Sequence, residues 1–346
     1  MEQAIRVAMS RVRTPALSVA ISLGDSVTFD RAFGMSDVEN FVPAKPSTVY
    51  RIASNAKPLT ATAVMQLVER GRISLDAPIQ RYVPGYPHKG QPVTVRQLLT
   101  HTSGVRHHRD DAEYHTTREC AALKEALEMF AADSLLHAPG AKVTYSTYGY
   151  VLLGLAVEGA SGKSYADYLR DRVLRPAGMT QTQPDRVTDI VPNRAGGYGL
   201  TESGALRNAK LVNTSCRMPG GGLLSSAGDM ARFLIAERNG TLVRRETAAM
   251  MQSNQVKPET IQRTLQGVAL PPGYVPPGFG FGWAIGSNAR RDAVWHGGNQ
   301  QGATSVIYYL PQQRLGIAIL TNLEEQGNAL VELAETIAGI VAGGAR

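Results

Sequence analysis

Short runs in which apolar and polar residues alternate lie near both ends of the chain, a pattern typical of half-buried β-strands. Two of these runs, 16–23 and 26–33, flank the turn residues Gly24 and Asp25 and predict a β-hairpin. Strand-like runs return near the C-terminus, at 281–285, 304–310 and 315–321. We therefore expect one antiparallel sheet built from distant segments of the chain.

The middle of the chain instead has apolar residues at three- and four-residue spacing, which predicts helices. The expected helices are at 1–13, 55–70, 93–100, 121–132, 148–159, 165–172 and 329–341. Residues 255–282, rich in Pro and Gly, predict a long surface loop.

The predicted fold class is α/β, of the α+β type. Residues 1–55 and 220–346 should form an antiparallel sheet domain with flanking N- and C-terminal helices. Residues 56–219 should form an inserted, mostly helical domain, with the functional site at the interface of the two.

The composition narrows the choice of function. The chain has 346 residues, of which 43% are hydrophobic and 19% are charged, as in ordinary globular proteins. The formal charge of +7 comes mainly from scattered arginines, so we expect no nucleic-acid partner. No apolar run is long enough to span a bilayer. The expected partner is a small-molecule substrate.

Two cysteines, Cys120 and Cys216, are too few for a disulfide framework and lack the spacing of a metal site. We expect them to be buried free thiols. These two cysteines do not indicate in which cellular compartment the protein is located. A periplasmic or secreted location follows if a signal peptide has been removed, and a cytoplasmic one otherwise.

A serine and a lysine three residues apart stand at the head of the predicted 55–70 helix. Residues at this spacing lie about 5–6 Å apart on one helical face, so the amine of Lys57 can reach the hydroxyl of Ser54. A serine nucleophile needs an adjacent base, and a desolvated lysine can lose its proton and serve as that base. The helix N-terminus would also favour negative charge on an attacked carbonyl. The alternative is that Ser54 only caps the helix.

Two further segments of the chain, together with the Ser54 and Lys57 pair, form a set of three motifs. Tyr145-Ser146-Thr147 lies in a turn before a helix, and His296-Gly297-Gly298-Asn299 lies on or beside a strand. With Ser54-x-x-Lys57, they resemble the motifs Ser-x-x-Lys, Tyr-x-Asn and Lys/His-x-Gly of the serine beta-lactamase-like and penicillin-binding-protein superfamily. The resemblance runs from about 16 to 322 and includes the class C, D-aminopeptidase and esterase branches. It is greatest to the mitochondrial serine beta-lactamase-like proteins and their bacterial relatives.

The resemblance implies catalytic roles for four residues. Ser54 would be the nucleophile, Lys57 its base, and Tyr145 the phenol that passes the proton to the leaving group. Because the ordinary pKa of tyrosine is about 10, a phenolate there would need positive charge from Lys57 and His296. His296 replaces the lysine of the third motif, which implies weaker, pH-dependent recognition of a substrate carboxylate.

The other motif residues are expected to bind substrate. Thr147 stands where the second motif has asparagine, so a substrate carbonyl would be held less well, which puts beta-lactam hydrolysis in doubt. The resemblance implies an oxyanion hole made by the backbone N–H groups of Ser54 and Asn299. Gly297 and Gly298 would let the substrate backbone approach the strand.

The resemblance thus implies a serine hydrolase without cofactor or metal, which forms an acyl-enzyme on small esters, amides or peptides. Beta-lactamase activity is expected to be absent or weak. One alternative is a catalytically weak, self-associating scaffold that forms filaments, as the likeness to the mitochondrial branch suggests. The other is a metal-dependent hydrolase built on a cluster with four of the seven histidines: His101, His107, His108, Asp110, Asp111 and His115.

Overall fold

A computed structural model describes residues 1–257, 260, 278–288 and 291–343 of the chain. The strands in this part of the chain are β1 (Ala16–Leu23), β2 (Ser26–Asp37), β3 (Val42–Pro43), β4 (Tyr50–Arg51), β5 (Gln183–Pro184), β6 (Tyr198–Leu200), β7 (Leu206–Asn208), β8 (Leu223–Ser225), β9 (Gly278–Phe279), β10 (Ala284–Ser287), β11 (Asp292–Gln300), β12 (Ala303–Leu310) and β13 (Leu315–Thr321).

Eight strands form one antiparallel sheet in the order β3-β2-β1-β13-β12-β11-β10-β9. The two ends of the chain meet at its centre, where β1 pairs with β13 from Leu17 opposite Thr321 to Leu23 opposite Leu315. Two small sheets, β4-β8-β5 and β6-β7, lie outside it. The predicted antiparallel sheet of distant segments is confirmed.

The α-helices of the described residues are α1 (Glu2–Val12), α2 (Ala56–Glu69), α3 (Val95–Leu99), α4 (Asp111–Tyr114), α5 (Thr147–Ser161), α6 (Tyr165–Leu169), α7 (Met218–Gly221), α8 (Ala227–Arg238), α9 (Arg245–Met251) and α10 (Gly327–Gly343). Short 3₁₀ turns lie at Ala53–Asn55, Ile79–Arg81, Leu123–Met129 and Ser215–Arg217, and a π turn at Arg170–Leu174 follows α6. The α+β fold class, with a helix at each end of the chain, is confirmed.

The sheet is buried on both faces. In β1, Leu17, Val19 and Ile21 belong to one core, which includes Ile5 of α1 and the inner face of α10. Ala20, which points to the opposite face, belongs to the core shared with α8 and the helices of the middle of the chain. Successive residues of a strand point to opposite faces, so each face of the sheet is covered by its own set of helices.

Helix α2 runs through the interior. Twelve of its 14 residues are buried, from Ala56 to Leu67, and α5 is buried along most of its length. A helix that is buried on all sides belongs to the core and cannot be recognised by one apolar stripe. The position of α2 brings Ser54, in the 3₁₀ turn before it, between the sheet and the helical part of the chain.

Two predicted elements need correction, and a third lies mostly outside the described residues. The helix expected at 121–132 is only the 3₁₀ turn Leu123–Met129, in which Ala126 alone is buried, so little packing supports a longer helix. The strand expected at 281–285 begins only at Ala284, because Gly282 has a φ of 84° and interrupts the extended backbone. Most of the loop expected at 255–282 lies outside the described residues.

The division into domains of residues 1–55 with 220–346 and of residues 56–219 stays a prediction. In the structure, β5 of the middle segment pairs with β8 of the C-terminal one. Among the described residues, no helix combines the length and the apolar character needed to cross a bilayer.

The expectation of two free thiols is wrong, because Cys120 and Cys216 form a disulfide bond with Cα atoms 5.0 Å apart. The cysteines are 96 positions apart in sequence, so only the tertiary fold brings them together. The backbone N–H of Cys120 also donates to Ser215 Oγ at 2.9 Å. The bond therefore ties the segment before the 3₁₀ turn at Leu123–Met129 to the turn Ser215–Arg217.

Strand β11 has an edge that is open beside Ser54. Its partner β10 pairs only with residues 292–295, whereas β12 pairs along β11 as far as Gln300. Over one face of the sheet, β11 and β12 contact the turn before α2, and Ser305 Oγ of β12 donates to the carbonyl of Ile52 at 2.7 Å. A Cβ atom at Gly298 would lie 2.4 Å from the same carbonyl oxygen. Glycine is thus required for β11 to approach this turn so closely.

Neighbouring glycines of β11 give a matched pair of substitutions. A Cβ at Gly297 would meet nothing within 4 Å, in contrast to the clash at Gly298. We expect Gly298→Ala to lower the free energy of unfolding by about 1–3 kcal/mol and Gly297→Ala to leave it nearly unchanged. Urea denaturation of both variants measures this. Equal stability of the two variants would contradict the close approach of β11 to Ile52.

The disulfide should contribute measurably to stability. Closing a loop of this length restricts the unfolded chain, so we expect Cys120→Ser with Cys216→Ser to lower the free energy of unfolding by about 2–5 kcal/mol. Urea denaturation with and without reductant should give the same difference for the parent protein. Titration of two free thiols in the native, unreduced protein would show that the bond is absent.

Candidate active site

Ser54 and Lys57 lie in contact at the start of α2. The Nζ atom of Lys57 donates to Ser54 Oγ at 3.0 Å. Ala53, directly before the serine, has a φ of 47°, a left-handed conformation that is rare for residues other than glycine. Such backbone conformations are found often at functional sites, where they fix the direction of a side chain. The predicted proximity of the two side chains is therefore present in the structure.

The amine of Lys57 is fully buried and has three neighbours. Besides Ser54, it donates to the carbonyl of Gly220 at 2.6 Å and to Thr147 Oγ1 at 3.3 Å. Burial, and secondly the charge of Arg217, lowers the pKa of Lys57 well below its ordinary value. In its neutral form the amine can donate its two N–H groups to the Gly220 carbonyl and to Thr147 Oγ1, and its lone pair can accept from the Ser54 hydroxyl. Lys57 can therefore accept the proton of Ser54.

Tyr145 completes this group. Its ring packs beside the pair, with Lys57 Nζ 4.7 Å from the ring centre. Burial raises the pKa of the Tyr145 phenol above its ordinary value, and the nearby Ser54 hydroxyl offsets this only in part. At neutral pH Tyr145 is thus a phenol, which can donate a proton.

His296 lies beside Tyr145, with their ring centres 6.3 Å apart. Burial, and secondly the nearby Lys57, lowers the pKa of His296 to about 3. Its imidazole is therefore neutral, and its Nδ1 lies 2.7 Å from the carbonyl oxygen of Gly297. The expectation that Lys57 and His296 supply positive charge for a Tyr145 phenolate does not agree with these pKa shifts.

The histidine cluster is arranged around the start of α5. The Nδ1 atom of His101 accepts the backbone N–H of Ser146 at 3.1 Å, and Nδ1 of His107 accepts that of Thr147 at 3.2 Å. The His101 ring packs on Tyr145, with centres 4.4 Å apart. Burial lowers the pKa of His107 to about 3 and that of His101 well below its ordinary value. These neutral imidazoles hold the Tyr145-Ser146-Thr147 turn in place, a role that the sequence did not reveal.

A metal site does not form from this cluster. His101 and His107 already use a ring nitrogen for backbone N–H groups, and Nδ1 of His115 lies 2.8 Å from the carbonyl oxygen of Asp111. Asp110 instead caps α4 by accepting the N–H of Glu113. Across the described residues, no group of three or more His, Cys, Asp or Glu side chains is placed to hold a metal ion. The geometry therefore gives no support to the metal-dependent alternative.

Asn299 lies near the C-terminal end of β11. Its backbone carbonyl accepts from the hydroxyl of Tyr114 at 3.4 Å, so its backbone groups face the open edge of the strand. The N–H and C=O groups of one strand residue point to the same edge, so the N–H of Asn299 faces this edge too. Its side-chain oxygen accepts the N–H of Glu325 at 2.6 Å and is thus directed away. The expected oxyanion hole stays a prediction that this orientation supports.

Arg217 is a feature of the site that sequence reasoning missed. Only 5% of its surface is exposed, and it immediately precedes α7, whose Gly220 carbonyl accepts from Lys57. Burial lowers the pKa of its guanidinium, but arginine stays charged in proteins. A single arginine within Cys216-Arg217-Met218 gives no motif signal in the sequence, so only the fold identifies it.

Comparisons with known proteins identify the family and the fold. The profile of the Beta-lactamase family matches residues 1–342. The human mitochondrial serine beta-lactamase-like protein LACTB is 29% identical over 388 aligned positions, which cover 87% of this chain and 70% of that protein. The octameric penicillin-binding protein homologue from Pyrococcus abyssi superposes with a TM-score of 0.84 at 29% identity, covering 99% of this chain and 76% of that chain.

A third similarity concerns the fold alone. D-amino acid amidase from Ochrobactrum anthropi SV3 superposes with a TM-score of 0.85 at 22% identity, over 100% of both chains. The family match over almost the whole length confirms the resemblance that the three motifs indicated. The chain belongs to the beta-lactamase family of serine hydrolases.

Proposed function

We propose that this protein is a serine hydrolase that forms an acyl-enzyme on Ser54 and acts on small esters, amides or peptides. The observation that carries the proposal is the contact between Ser54 Oγ and the buried amine of Lys57 at 3.0 Å. A serine becomes nucleophilic when an adjacent base accepts its proton, and the lowered pKa of Lys57 makes it such a base near neutral pH.

The proposed acylation moves two protons. Lys57 takes the hydroxyl proton of Ser54 while Oγ attacks the substrate carbonyl carbon, and the carbonyl oxygen gains negative charge. The backbone N–H groups of Ser54 and Asn299 stabilise this oxyanion. When the intermediate collapses, the bond to the leaving group breaks, Tyr145 donates its phenolic proton to the departing oxygen or nitrogen, and the Lys57 ammonium returns a proton to Tyr145.

Deacylation repeats these steps with water. A water molecule attacks the ester carbonyl, its proton passes to the neutral amine of Lys57, and the Lys57 ammonium returns a proton to Ser54 Oγ as the acid product leaves. His101 and His107 act only as positioning residues in this scheme, because they hold the Tyr145 turn through backbone N–H groups. No cofactor is required.

Two departures from the motifs guide the proposed substrate range. Thr147 offers one hydroxyl in place of an amide, and it already accepts from Lys57. His296 is neutral and therefore lacks the charge of a motif lysine. Both features weaken the binding of the carbonyl and the carboxylate of a beta-lactam, so we propose ester or amide hydrolysis with beta-lactamase activity weak or absent.

A scaffold role is the less favoured alternative. The Pyrococcus abyssi homologue is described as octameric, which supports self-association of this protein as a prediction. Assembly and hydrolysis are compatible, however, and the intact contact of Ser54 with Lys57 favours a working enzyme.

Removing the nucleophile should abolish activity without unfolding the protein. We expect Ser54→Ala to lower kcat/KM for p-nitrophenyl acetate by roughly 10³-fold or more, because no other group can form the acyl-enzyme. A fluorophosphonate should label the parent protein at Ser54 and leave the variant unlabelled. Ser203→Ala, at an exposed turn, is the matched control and should retain full activity. Unchanged turnover in Ser54→Ala, with a normal melting temperature, would refute the proposal.

The pH dependence of kcat/KM should reflect the titration of Lys57 and should show no titration of an imidazole. The base acts in its neutral form, so activity is present above the lowered pKa of Lys57 and is lost as the pH falls through it. The pKa of His296 is about 3, so its charge is constant between about pH 5 and 9. We expect kcat/KM for an uncharged ester to have no inflection near pH 6.5. An inflection there that disappears in His296→Gln would contradict the buried, neutral state of this residue.

A further inference from the structure

Arg217 carries a buried positive charge that no carboxylate of the described residues contacts; Asp185 attracts it only from a distance. Its guanidinium donates to the carbonyl of Tyr114 at 3.0 Å and to Gln301 Oε1 at 3.3 Å, and it lies 3.5 Å from His108 Nε2. All three partners are neutral. Among the described residues no Asp or Glu forms an ion pair with it, and Asp185 is already paired with Arg51 at 2.7 Å. Burying an unpaired charge is costly, so this arrangement calls for an anionic partner.

The guanidinium also has free donors. Of its five N–H groups, three at most have partners among the described residues, and Nε has none although it is buried. The side-chain nitrogen of Gln300 is a second buried donor without a partner. Buried polar groups are nearly always hydrogen-bonded, so two unpaired donors in one region indicate that a ligand completes them.

Gln300 borders the turn that holds the nucleophile, and Arg217 stands at the start of the helix next to it. A Cβ atom at Gly221 of α7 would lie 3.5 Å from the carbonyl carbon of Ala53 and 3.6 Å from Gln300 Oε1. Arg217 leads directly into α7, and its charge is close enough to lower the pKa of Lys57. Helix α7 and Gln300 thus form a wall next to Ser54. Arg217 meets the histidine cluster at His108, whereas Tyr145, which donates a proton to the leaving group, packs on His101.

We propose that the acyl part of the substrate carries a carboxylate, which Arg217 binds with its free N–H groups and Gln300 with its amide nitrogen. This inference rests on the proposed function and names its substrate class. A guanidinium suits a carboxylate because parallel N–H groups can bind both oxygens. The carboxylate would neutralise Arg217 and provide acceptors for both buried donors. The reaction itself is unchanged, and the product is a dicarboxylic acid or another acid with a second anionic group.

The structural alternative is that Arg217 only joins α4 to the turn between β11 and β12 through Tyr114 and Gln301. Loss of such a role would reduce activity on charged and uncharged substrates alike. The ratio of kcat/KM between an anionic substrate and its neutral isostere separates the two roles, because any general damage to the site cancels in this ratio.

The test compares mono-p-nitrophenyl adipate with its methyl ester, which has the same chain but no charge. We expect the parent protein to prefer the free acid by about 10- to 100-fold in kcat/KM, the range expected for hydrogen bonds to a charged group. Arg217→Met should bring the ratio to about one, and Arg217→Lys should retain part of the preference. Arg194→Met is the matched control, because it removes a nearby positive charge that pairs with Asp185 and should leave the preference unchanged.

Each other outcome overturns the inference in a distinguishable way. Equal hydrolysis of both esters by the parent protein would refute the carboxylate preference and leave the serine hydrolase intact. An equal loss in Arg194→Met and Arg217→Met would assign the preference to long-range attraction and not to direct binding. A preference seen only when the carboxylate is on the leaving group would refute the acyl placement. No hydrolysis of either ester and no fluorophosphonate labelling of Ser54 would overturn the proposed function as well.

Discussion

The arrangement of the site depends on one constraint, the complete burial of the Lys57 amine beside Ser54. A lysine exposed to water keeps its proton and cannot act as a base at neutral pH. Burial removes the hydration that stabilises the charged form, and the one carbonyl and two hydroxyls around Nζ can be matched by the two N–H groups and the lone pair of the neutral form. The burial of α2 on nearly all sides is therefore what makes the chemistry of Ser54 possible.

Burying a lysine at this position requires three distant segments to approach closely, and glycines permit it. A Cβ at Gly220 would lie 2.7 Å from Cγ2 of Thr147, so α7 could not otherwise contact the start of α5. A Cβ at Gly298 would similarly collide with the turn before Ser54. The absence of side chains at these two crossings gives Gly220 and Gly298 a packing role, in addition to any contact of Gly298 with substrate.

The sequence could predict contacts between residues that are close together along the chain, but not contacts between residues that are far apart along it. The pair Ser54 and Lys57 could be predicted from helical spacing, because both residues lie on one element. Tyr145 and His296 come from elements far away in sequence, so only the resemblance to a family could assign them. The disulfide of Cys120 with Cys216 was missed for the same reason, since a separation of 96 residues carries no geometric information. Likewise, the apolar spacing at 121–132 could not show that only Ala126 would be buried there.

The neutral state of the histidines changes where charge is located in the site. His296 occupies the position of a motif lysine, yet burial and the nearby Lys57 keep its imidazole uncharged. His101 and His107 are neutral for the same reason and serve to orient a turn. Positive charges close to a buried lysine repel one another. Histidine avoids this repulsion by losing its proton, whereas arginine keeps its charge. Arg217, beside α7, therefore keeps its positive charge, whereas His296 of β11 is neutral. The charged group that recognises an anion would accordingly lie on the helical side of the site, while Gln300 of β11 would supply a neutral donor.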